Sequence, residues 1–222
     1  MSRGEFTVED AKRFYDRFGA KQDLQFYENA ALECLVAHAD LKHVSSVFEL
    51  GCGTGRLAER LLRERLPSTA RYVGVDVSTT MTQLAEQKLA PWRGRALVRR
   101  SDGSARQPDT DCSFDRFVAT YVLDLLPEAQ IRDVLLEAYR VLVAEGWLCV
   151  VGMTDGQGPV SRALCAAWKQ LHALSPRLVG GCRPLRVRDF LDAGAWRVEH
   201  AEVVSAWGVC SEVVVAAKVK GG

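Results

Sequence analysis

Residues 47–55 read VFELGCGTG, and residues 56–66 continue as RLAERLLRERL. Three of the first four residues are apolar, which predicts a short buried strand that ends at Gly51. The leucines of the second stretch recur at helical spacing, and Pro67 stops that helix. The sequence therefore predicts a strand that passes through a glycine-rich turn directly into a helix.

Strand and helix alternate along the rest of the chain. The further predicted strands cover residues 72–75, 96–98, 114–119, 147–151, 196–204 and 209–219. Pro127 opens a helix between the fourth and fifth strands, and Gly146 ends that unit. The turn near 206–208 is too short for a parallel crossover, so it predicts antiparallel pairing of the last two strands. We expect an α/β fold, a doubly wound Rossmann-like sheet of seven strands with a C-terminal antiparallel hairpin.

The length of 222 residues fits a single domain over residues 1–222. We expect four parts within it: an N-terminal helical lid at 1–44, a ligand-binding core at 45–152, a lid insertion at 153–194 and the hairpin at 195–222. Both lid regions are predicted to be helical, near 7–18, 22–39 and 160–174. In open α/β sheets of this kind the ligand lies beyond the carboxyl ends of the strands.

The glycine turn excludes two common nucleotide sites. A phosphate-binding P-loop needs a lysine after its last glycine, and none follows Gly51 in that register. The dinucleotide fingerprint G-x-G-x-x-G needs a third glycine where this chain has Arg56, because that glycine allows close packing of helix on strand. Glu49 adds a negative charge that repels pyrophosphate and suits an ammonium or sulfonium group. A nicotinamide-dependent dehydrogenase is therefore disfavoured.

The glycines instead form an E-x-G-x-G-x-G pattern over 49–55, and Asp76 follows at the end of the second strand. This combination resembles the first motif of class I S-adenosylmethionine-dependent methyltransferases, together with the acid that binds the cofactor's ribose in that family. Asp102, after the third strand, stands where the family carries an acid that accepts from the adenine amino group. Residues 114–127 resemble the family's fourth motif, in which Tyr121 would face the methyl group.

The resemblance extends toward the N-terminus. Phe14-Tyr15-Asp16 is similar to the Tyr-Asp signature of the type 11 and ubiquinone/menaquinone-biosynthesis branch, in which this region folds over the cofactor. The resemblance implies S-adenosylmethionine as cofactor and S-adenosylhomocysteine as product. It also implies a set of cofactor-binding residues: Tyr15, Glu49, Gly51, Cys52, Gly53, Gly55, Asp76, Val77, Met81, Asp102, Gly103 and Tyr121.

The methyl acceptor is expected to be a small molecule and not a nucleic acid. The chain has 29 basic and 28 acidic residues, and this net charge of +1 leaves no electrostatic footprint for nucleic acid. It also lacks the Asn-Pro-Pro-Tyr form of the nucleic-acid amino methyltransferases. No apolar run is long enough to predict an integral membrane segment. The nucleophilic atom (O, N, C or S) and the oligomeric state stay open.

Methyl transfer from a sulfonium requires alignment and a dry site, but no obligatory catalytic residue. His172 is the candidate base or substrate contact, because it shares a predicted helix face with Trp168 and Cys165. Two alternatives stay open. One is a non-catalytic partner subunit with the same fold. The other is methylation of arsenite or thiols, with Cys34, Cys165 and Cys182 as metalloid ligands.

Seven cysteines are scattered through the chain, and no two of them form a C-x-x-C pair. Their number is odd and their spacing irregular, so we expect neither a disulfide framework nor a metal site. Reduced thiols in this number favour a cytoplasmic location, since disulfides would be expected in an oxidising compartment.

Overall fold

Seven strands form one sheet in the computed structural model, which describes residues 7–19 and 28–219. The strands are β1 Ser46–Leu50, β2 Arg71–Asp76, β3 Ala96–Arg100, β4 Phe114–Thr120, β5 Leu142–Met153, β6 Trp196–Ala206 and β7 Val209–Lys218. The α-helices are α1 Val8–Phe18, α2 Glu28–His38, α3 Arg56–Glu64, α4 Thr79–Lys88, α5 Glu128–Val141 and α6 Pro159–Leu174. No helix within these ranges combines the length and the apolar surface that a bilayer crossing requires.

The strand order is β3-β2-β1-β4-β5-β7-β6. Strands β1 to β5 run parallel to one another, and β7 runs antiparallel to both β5 and β6. The predicted fold is therefore confirmed, including the C-terminal hairpin. The order of the strands reverses between β1 and β4, so the loops that follow these two strands diverge and leave a crevice at their carboxyl ends.

Helices cover both faces of the sheet and hold β1 from either side. Along β1 the side chains alternate: Val47 packs into the apolar cluster that contains Leu61 of α3, whereas Phe48 packs into the cluster that contains Ile131 of α5. All four side chains are at most 2% exposed. The strand that leads into the glycine turn is thus rigidly positioned by the core.

The start of β5 differs from the prediction by five residues. β5 begins at Leu142, immediately after α5, and not at residue 147; Gly146 therefore lies inside the strand. Leu142 pairs with Phe114 and the register of the two strands then shifts, so the added residues extend the pairing through an irregularity. α2 begins at Glu28, and the earlier part of the predicted helix, residues 22–27, lies outside the described residues.

Candidate active site

A cavity of about 380 Å³, the main cavity, opens at the carboxyl ends of β1, β2 and β4. Small-ligand sites range over roughly 300–1,000 Å³, so the main cavity is large enough for one. The glycine turn, the loops after β2, β3 and β4, α1 and α5 all contribute to its wall. Its lining includes Thr7, Val8, Ala11, Tyr15, Gly51, Gly53, Asp76, Val77, Met81, Gly103, Tyr121, Leu125 and Val134.

The carboxylate of Asp76 is oriented in the main cavity by two backbone groups. The N–H of Ser78 donates to Oδ1 at 2.8 Å, and the N–H of Gly53 donates to Oδ2 at 3.0 Å. Burial raises the pKa of Asp76, and these two hydrogen bonds act in the opposite direction. Each carboxylate oxygen keeps further acceptor capacity, so the pair suits two neighbouring hydroxyl groups such as those of a ribose.

The three glycines of the turn have different surroundings. Gly53 has a φ of +52°, the left-handed region that favours glycine, and a Cβ added there would meet no atom within 4 Å. A Cβ on Gly51 would lie 2.3 Å from Cγ2 of Val122. Gly55 precedes α3 and lies against Ala85 of α4, so it serves the packing of two helices. Of the three, Gly53 is therefore the one at which a ligand can approach the backbone.

The loop after β3 is covered by α1. A Cβ on Gly103 would lie 2.5 Å from Cγ1 of Val8, so a side chain here would force α1 away. Asp102 Oδ1 accepts from the N–H of Ser104 at 2.8 Å and thereby closes its own turn. The side chain of Asp102 is exposed, and Gly103, not Asp102, lines the main cavity.

α1 presents one face to the main cavity and is tied to α4. Val8 and Tyr15, seven residues apart, lie on this face and line the cavity. Asp16 accepts from the hydroxyl of Ser78 at 2.6 Å and from the N–H of Thr80 at 3.2 Å, both at the start of α4. Burial opposes ionisation of Asp16, but these hydrogen bonds outweigh it and hold its pKa below the ordinary value.

A second cavity, of about 250 Å³, adjoins the main cavity. Gly51, Gly53, Thr120 and Tyr121 line both, so ligands in the two cavities would meet at these residues. The second cavity lies beside the starts of α2 and α3. Its remaining lining carries both signs of charge: Glu28, Asn29, Leu32, Glu49, Cys52, Thr54, Arg56, Leu57, Glu59, Arg60 and Arg63.

Glu49 is only 1% exposed, and its Oε2 accepts a hydrogen bond from the hydroxyl of Tyr72 at 2.6 Å. Burial raises the pKa of Glu49 to about 8; the Tyr72 hydrogen bond opposes this shift, and the charge of Asp76 adds to it. At neutral pH the free protein therefore holds this group mostly as the neutral acid, whereas the sequence suggested a carboxylate. A cation brought beside it would favour loss of the proton.

Tyr121 stands at the end of β4 in a strained conformation. Its φ of +55° is uncommon for a bulky side chain and marks a position that the surrounding structure enforces. Its hydroxyl lies 2.9 Å from Oγ of Ser211, which ties the loop after β4 to β7. Burial raises the pKa of the Tyr121 phenol, so the group stays neutral at physiological pH. The ring is thereby fixed where the two cavities meet.

Two buried acids near this point were not predicted as site residues. Asp124 is fully buried: the N–H of Met153 donates to its Oδ2 at 3.1 Å, whereas Oδ1 has no hydrogen-bond partner within the described residues. Burial raises the pKa of Asp124 to about 6. Glu28 is 8% exposed and lines the second cavity. The one sequence signal for Asp124 was an acid inside the apolar run LDLLP at 123–127.

The structure brings most of the predicted cofactor residues together. Those that line the main cavity are Tyr15, Gly51, Gly53, Asp76, Val77, Met81, Gly103 and Tyr121. Glu49 and Cys52 line the second cavity, and Gly55 and Asp102 line neither. His172, on α6, also lies outside the lining of both cavities. A hydrogen bond joins it to the backbone of Gly181, and burial lowers its pKa.

The three cysteines considered as metalloid ligands lie in different surroundings. Cys34 Sγ is 3.4 Å from Nε2 of His200, and Cys165 Sγ is 3.4 Å from Oδ1 of Asp155. Burial raises the pKa of Cys182 well above its ordinary value. Over residues 7–19 and 28–219, no cluster of metal-binding side chains combines two of these thiols. The described residues therefore do not bring these thiols together as the arsenite alternative expects.

The sequence of the core matches a known family. Residues 47–146 match the family described as "Methyltransferase domain", a stretch that contains the glycine turn, Asp76 and Tyr121. The chain carries a class I S-adenosylmethionine-dependent methyltransferase domain. This match and the fold support the predicted enzyme class and the predicted cofactor. The family description names no branch, so the type 11 resemblance of this methyltransferase stays a prediction.

Solved structures share the methyltransferase fold at low sequence identity. The N-methyltransferase NodS from Bradyrhizobium japonicum, in complex with S-adenosylhomocysteine, has a TM-score of 0.73 over 95% of this chain and 100% of its own, at 18% identity. A chain of the complex between the Haloferax volcanii Trm112 methyltransferase activator and a methyltransferase gives 0.68 over 96% and 99%, at 14% identity. The [4+2]-cyclase SpnF gives 0.65 over 87% and 81%, at 16% identity. Such likeness shows the fold alone.

A curated relative is similar to the methyltransferase over a shorter stretch. The tRNA1(Val) (adenine(37)-N6)-methyltransferase of Haemophilus influenzae is 29% identical to it over 87 residues. The match covers 38% of this chain and 37% of the relative, so the chain matches little more than a third of that protein's length. The tRNA substrate of the relative therefore does not define the acceptor of this enzyme.

Proposed function

We propose that the enzyme transfers the methyl group of S-adenosylmethionine to a small polar molecule that binds in the second cavity. The observation that carries the proposal is the shared lining of the two cavities at Gly51, Gly53, Thr120 and Tyr121. A donor in the main cavity and an acceptor in the second would meet there, as an in-line displacement requires.

The residues of the main cavity fit the donor. Asp76, with its two oriented oxygens, suits the hydroxyl groups of the ribose, and Val77 and Met81 supply an apolar wall for the adenine ring. Gly53 leaves the backbone open to the methionine tail, whose ammonium group suits Glu49. When bound, S-adenosylmethionine supplies an electrophilic methyl group on a sulfonium.

The residues of the chain contribute alignment and exclusion of water. α1 covers the main cavity, and the fixed ring of Tyr121 borders both cavities. Transfer removes a positive charge, so a site of low dielectric favours it. An oxygen acceptor needs a base, whereas an unprotonated amine or a thiolate does not. For such a base we propose Glu28, which lines the second cavity; His172, the candidate from the sequence, lines neither cavity.

The second cavity favours a small polar acceptor over a polynucleotide. Two of its arginines already have carboxylate partners. Nη2 of Arg60 lies 2.6 Å from Oε2 of Glu33, and Nη2 of Arg63 lies 2.8 Å from Oε1 of Glu64. They therefore contribute little to a basic surface for a phosphate backbone.

The thiols of all seven cysteines are free, which supports the proposed cytoplasmic location.

Methyl-labelled S-adenosylmethionine, the purified enzyme and a cell extract form the test. After reaction the extract is separated into small-molecule, RNA and protein fractions, and we expect label in the first. Asp76→Ala protein serves as the control for transfer by other enzymes. Label confined to RNA or protein, or no label above that control, would overturn the acceptor class. Isothermal titration tests the donor site separately, because both S-adenosylmethionine and S-adenosylhomocysteine should bind.

A further inference from the structure

Four side chains with metal-binding atoms lie together where α2 packs against the C-terminal hairpin. They are Cys34 and His38 of α2 and His200 and Glu202 of β6, and we call them the α2–β6 cluster. Residues four apart share a helix face, and residues two apart share a sheet face, so each pair projects in one direction. The α2–β6 cluster lines neither of the two cavities.

Three ligand atoms of the α2–β6 cluster form a nearly equilateral triangle. Cys34 Sγ lies 3.4 Å from His200 Nε2 and 3.4 Å from Glu202 Oε2, and the latter two atoms are also 3.4 Å apart. A tetrahedral Zn²⁺ with bonds of about 2.3 Å to sulfur and about 2.0 Å to nitrogen separates its ligands by roughly 3.3–3.6 Å. The triangle therefore matches one face of a zinc coordination shell.

His38 completes the α2–β6 cluster. Its ring stacks on that of His200 with centroids 3.6 Å apart and planes at 5°, and a ring nitrogen lies within 4.8 Å of the thiol and of His200. The His38 side chain is exposed, and its Nδ1 lies 2.9 Å from the carbonyl oxygen of Cys34, so a metal bound through Nδ1 would replace this contact.

An irregularity in the pairing of β6 with β7 determines which face of the sheet carries His200 and Glu202. The pairing of β6 with β7 shifts between Val198 and His200, after which His200 pairs with Val215 and Glu202 with Val213. Both valines belong to the apolar cluster on the α2 side of the sheet. The shift therefore aligns the two β6 ligands with the valines that face α2.

We propose that the α2–β6 cluster is a Zn²⁺ site that ties α2 to the outer strand of the sheet. Thiolate and imidazole ligands select zinc over magnesium or calcium, and the charges of Cys34 and Glu202 balance those of the ion. Without metal the thiol donates to Glu202, and burial together with that contact raises the pKa of Cys34 to about 11. Zinc takes the place of this proton.

The proposed zinc site has a consequence for the second cavity. α2 begins at Glu28, which lines that cavity, so a metal bound near the other end of the helix restrains the position of this acid.

The ligands of the proposed zinc site are far apart in the sequence: the thiol of Cys34 and the imidazole of His200 are 166 residues apart along the chain. Without the fold, neither the C-x-x-x-H pair nor the H-x-E pair predicts zinc.

The test uses the full chain, freed of metal by a chelator and titrated with Zn²⁺ against a chromophoric competitor. We expect one Zn²⁺ per chain and a higher Tm with metal. Cys34→Ser and His200→Asn should weaken binding at least tenfold. Co²⁺ in place of zinc should give thiolate-to-cobalt charge-transfer absorption that Cys34→Ser abolishes. Glu202→Gln changes an exposed side chain, and its weaker binding tests the site even if Cys34→Ser fails to fold.

Two variants control for metal bound elsewhere. Cys112→Ser removes an exposed cysteine, and His43→Asn removes an exposed histidine that pairs with Asp40. Both should keep the stoichiometry and the affinity of the wild type. Absence of stoichiometric zinc binding by the wild type, full affinity in Glu202→Gln and Cys34→Ser, or loss of binding in the controls would overturn the proposal.

Discussion

Asp76 joins the glycine turn to the proposed ribose site, because one of its oxygens accepts from Gly53. Asp76→Ala removes a charged acceptor and also frees that N–H group. We expect the Kd for S-adenosylmethionine to rise roughly 10- to 100-fold, or about 1–3 kcal/mol, in isothermal titration. Asp192→Ala is the matched control, because Asp192 closes an exposed turn at Gly194 and lines neither cavity. Normal binding by Asp76→Ala would contradict the assignment of the ribose site.

Gly53 and Gly51 should respond differently to the same substitution. An added Cβ at Gly53 meets open space but lies where the ligand approaches, so Gly53→Ala should weaken cofactor binding. Because φ is positive at this residue, the substitution should also lower the free energy of unfolding by roughly 1–2 kcal/mol. An added Cβ at Gly51 collides with Val122, so Gly51→Ala should lower Tm more strongly. Thermal denaturation and titration of both variants measure the contrast. Equal losses of Tm in the two would show that Gly53 is as closely packed as Gly51.

Glu49 predicts a proton release on cofactor binding. Its pKa of about 8 makes it mostly neutral in the free protein at pH 7, and a bound ammonium group favours the carboxylate. Titrations at pH 7 in buffers of different ionisation enthalpy should report release of a fraction of a proton. Glu49→Gln keeps an acceptor for Tyr72 but has no proton to lose, so the difference between the two proteins isolates this group. Equal proton release in both would place the ammonium group elsewhere.

The same residue makes the free enzyme less stable at higher pH. The folded pKa of Glu49, about 8, lies above that of an unfolded glutamate, so the folded state binds more protons between these values. Stability contributed by the neutral acid is full below about pH 4.5 and declines as the pH rises toward 8. Denaturant unfolding from pH 5 to 8 should show this decline, and Glu49→Gln should flatten it. An identical slope in the variant would refute the assignment.

At the scale of elements, the contact of Asp16 with the start of α4 holds α1 over the main cavity. Asp16→Ala removes the acceptor for Ser78 and Thr80. We expect faster amide hydrogen exchange over residues 8–18 and a several-fold higher Kd for the cofactor, because part of its binding energy must then order α1. Glu9→Ala, an exposed acid of the same helix, controls for charge and helix propensity. Unchanged exchange in Asp16→Ala would show that apolar contacts alone hold α1.

The elements themselves were largely predictable, because periodicity is a local property of sequence. The strand β1, which ends at Leu50, was visible in its apolar run, and the helix α3, Arg56–Glu64, was visible in the leucine spacing. The early start of β5 was not visible, since it depends on a partner strand and a shift in register. Propensity rules treat Gly146 as an end signal, and the tertiary pairing overrides it.

The sequence motif predicted which residues line the main cavity. It did not predict the pKa values of the buried acids, because these depend on how deeply the fold buries each side chain. Gly53 and Asp76 line the main cavity as their motif predicts. The raised pKa values of Glu49 and Asp124 arise from desolvation, which depends on residues distant in sequence. The exposure of Asp102 likewise depends on how its loop closes.

At the scale of the whole molecule, Glu212 joins the segment after α6 to the sheet. It is 1% exposed, and its two oxygens accept from the backbone N–H of Val187 and from Nε of Arg188, each at 2.6 Å. Glu212→Gln should lower the free energy of unfolding by on the order of 1–3 kcal/mol, with cofactor affinity unchanged. Glu145→Gln, in an exposed pair with Arg197, should leave stability unchanged in the same denaturant assay. A loss of cofactor affinity in Glu212→Gln would tie this segment to the site.

β7 lies between β5 and β6, although it follows both along the chain, and its residues from Val213 to Ala217 are fully buried. The ribosome therefore releases β5 and β6 before the strand that separates them. Until residue 218 has left the exit tunnel, the edge of β5 has no partner and is open to pairing with another nascent chain. Any delay before β7 emerges would prolong this exposure, during which the unpaired edge makes the incomplete chain prone to aggregate.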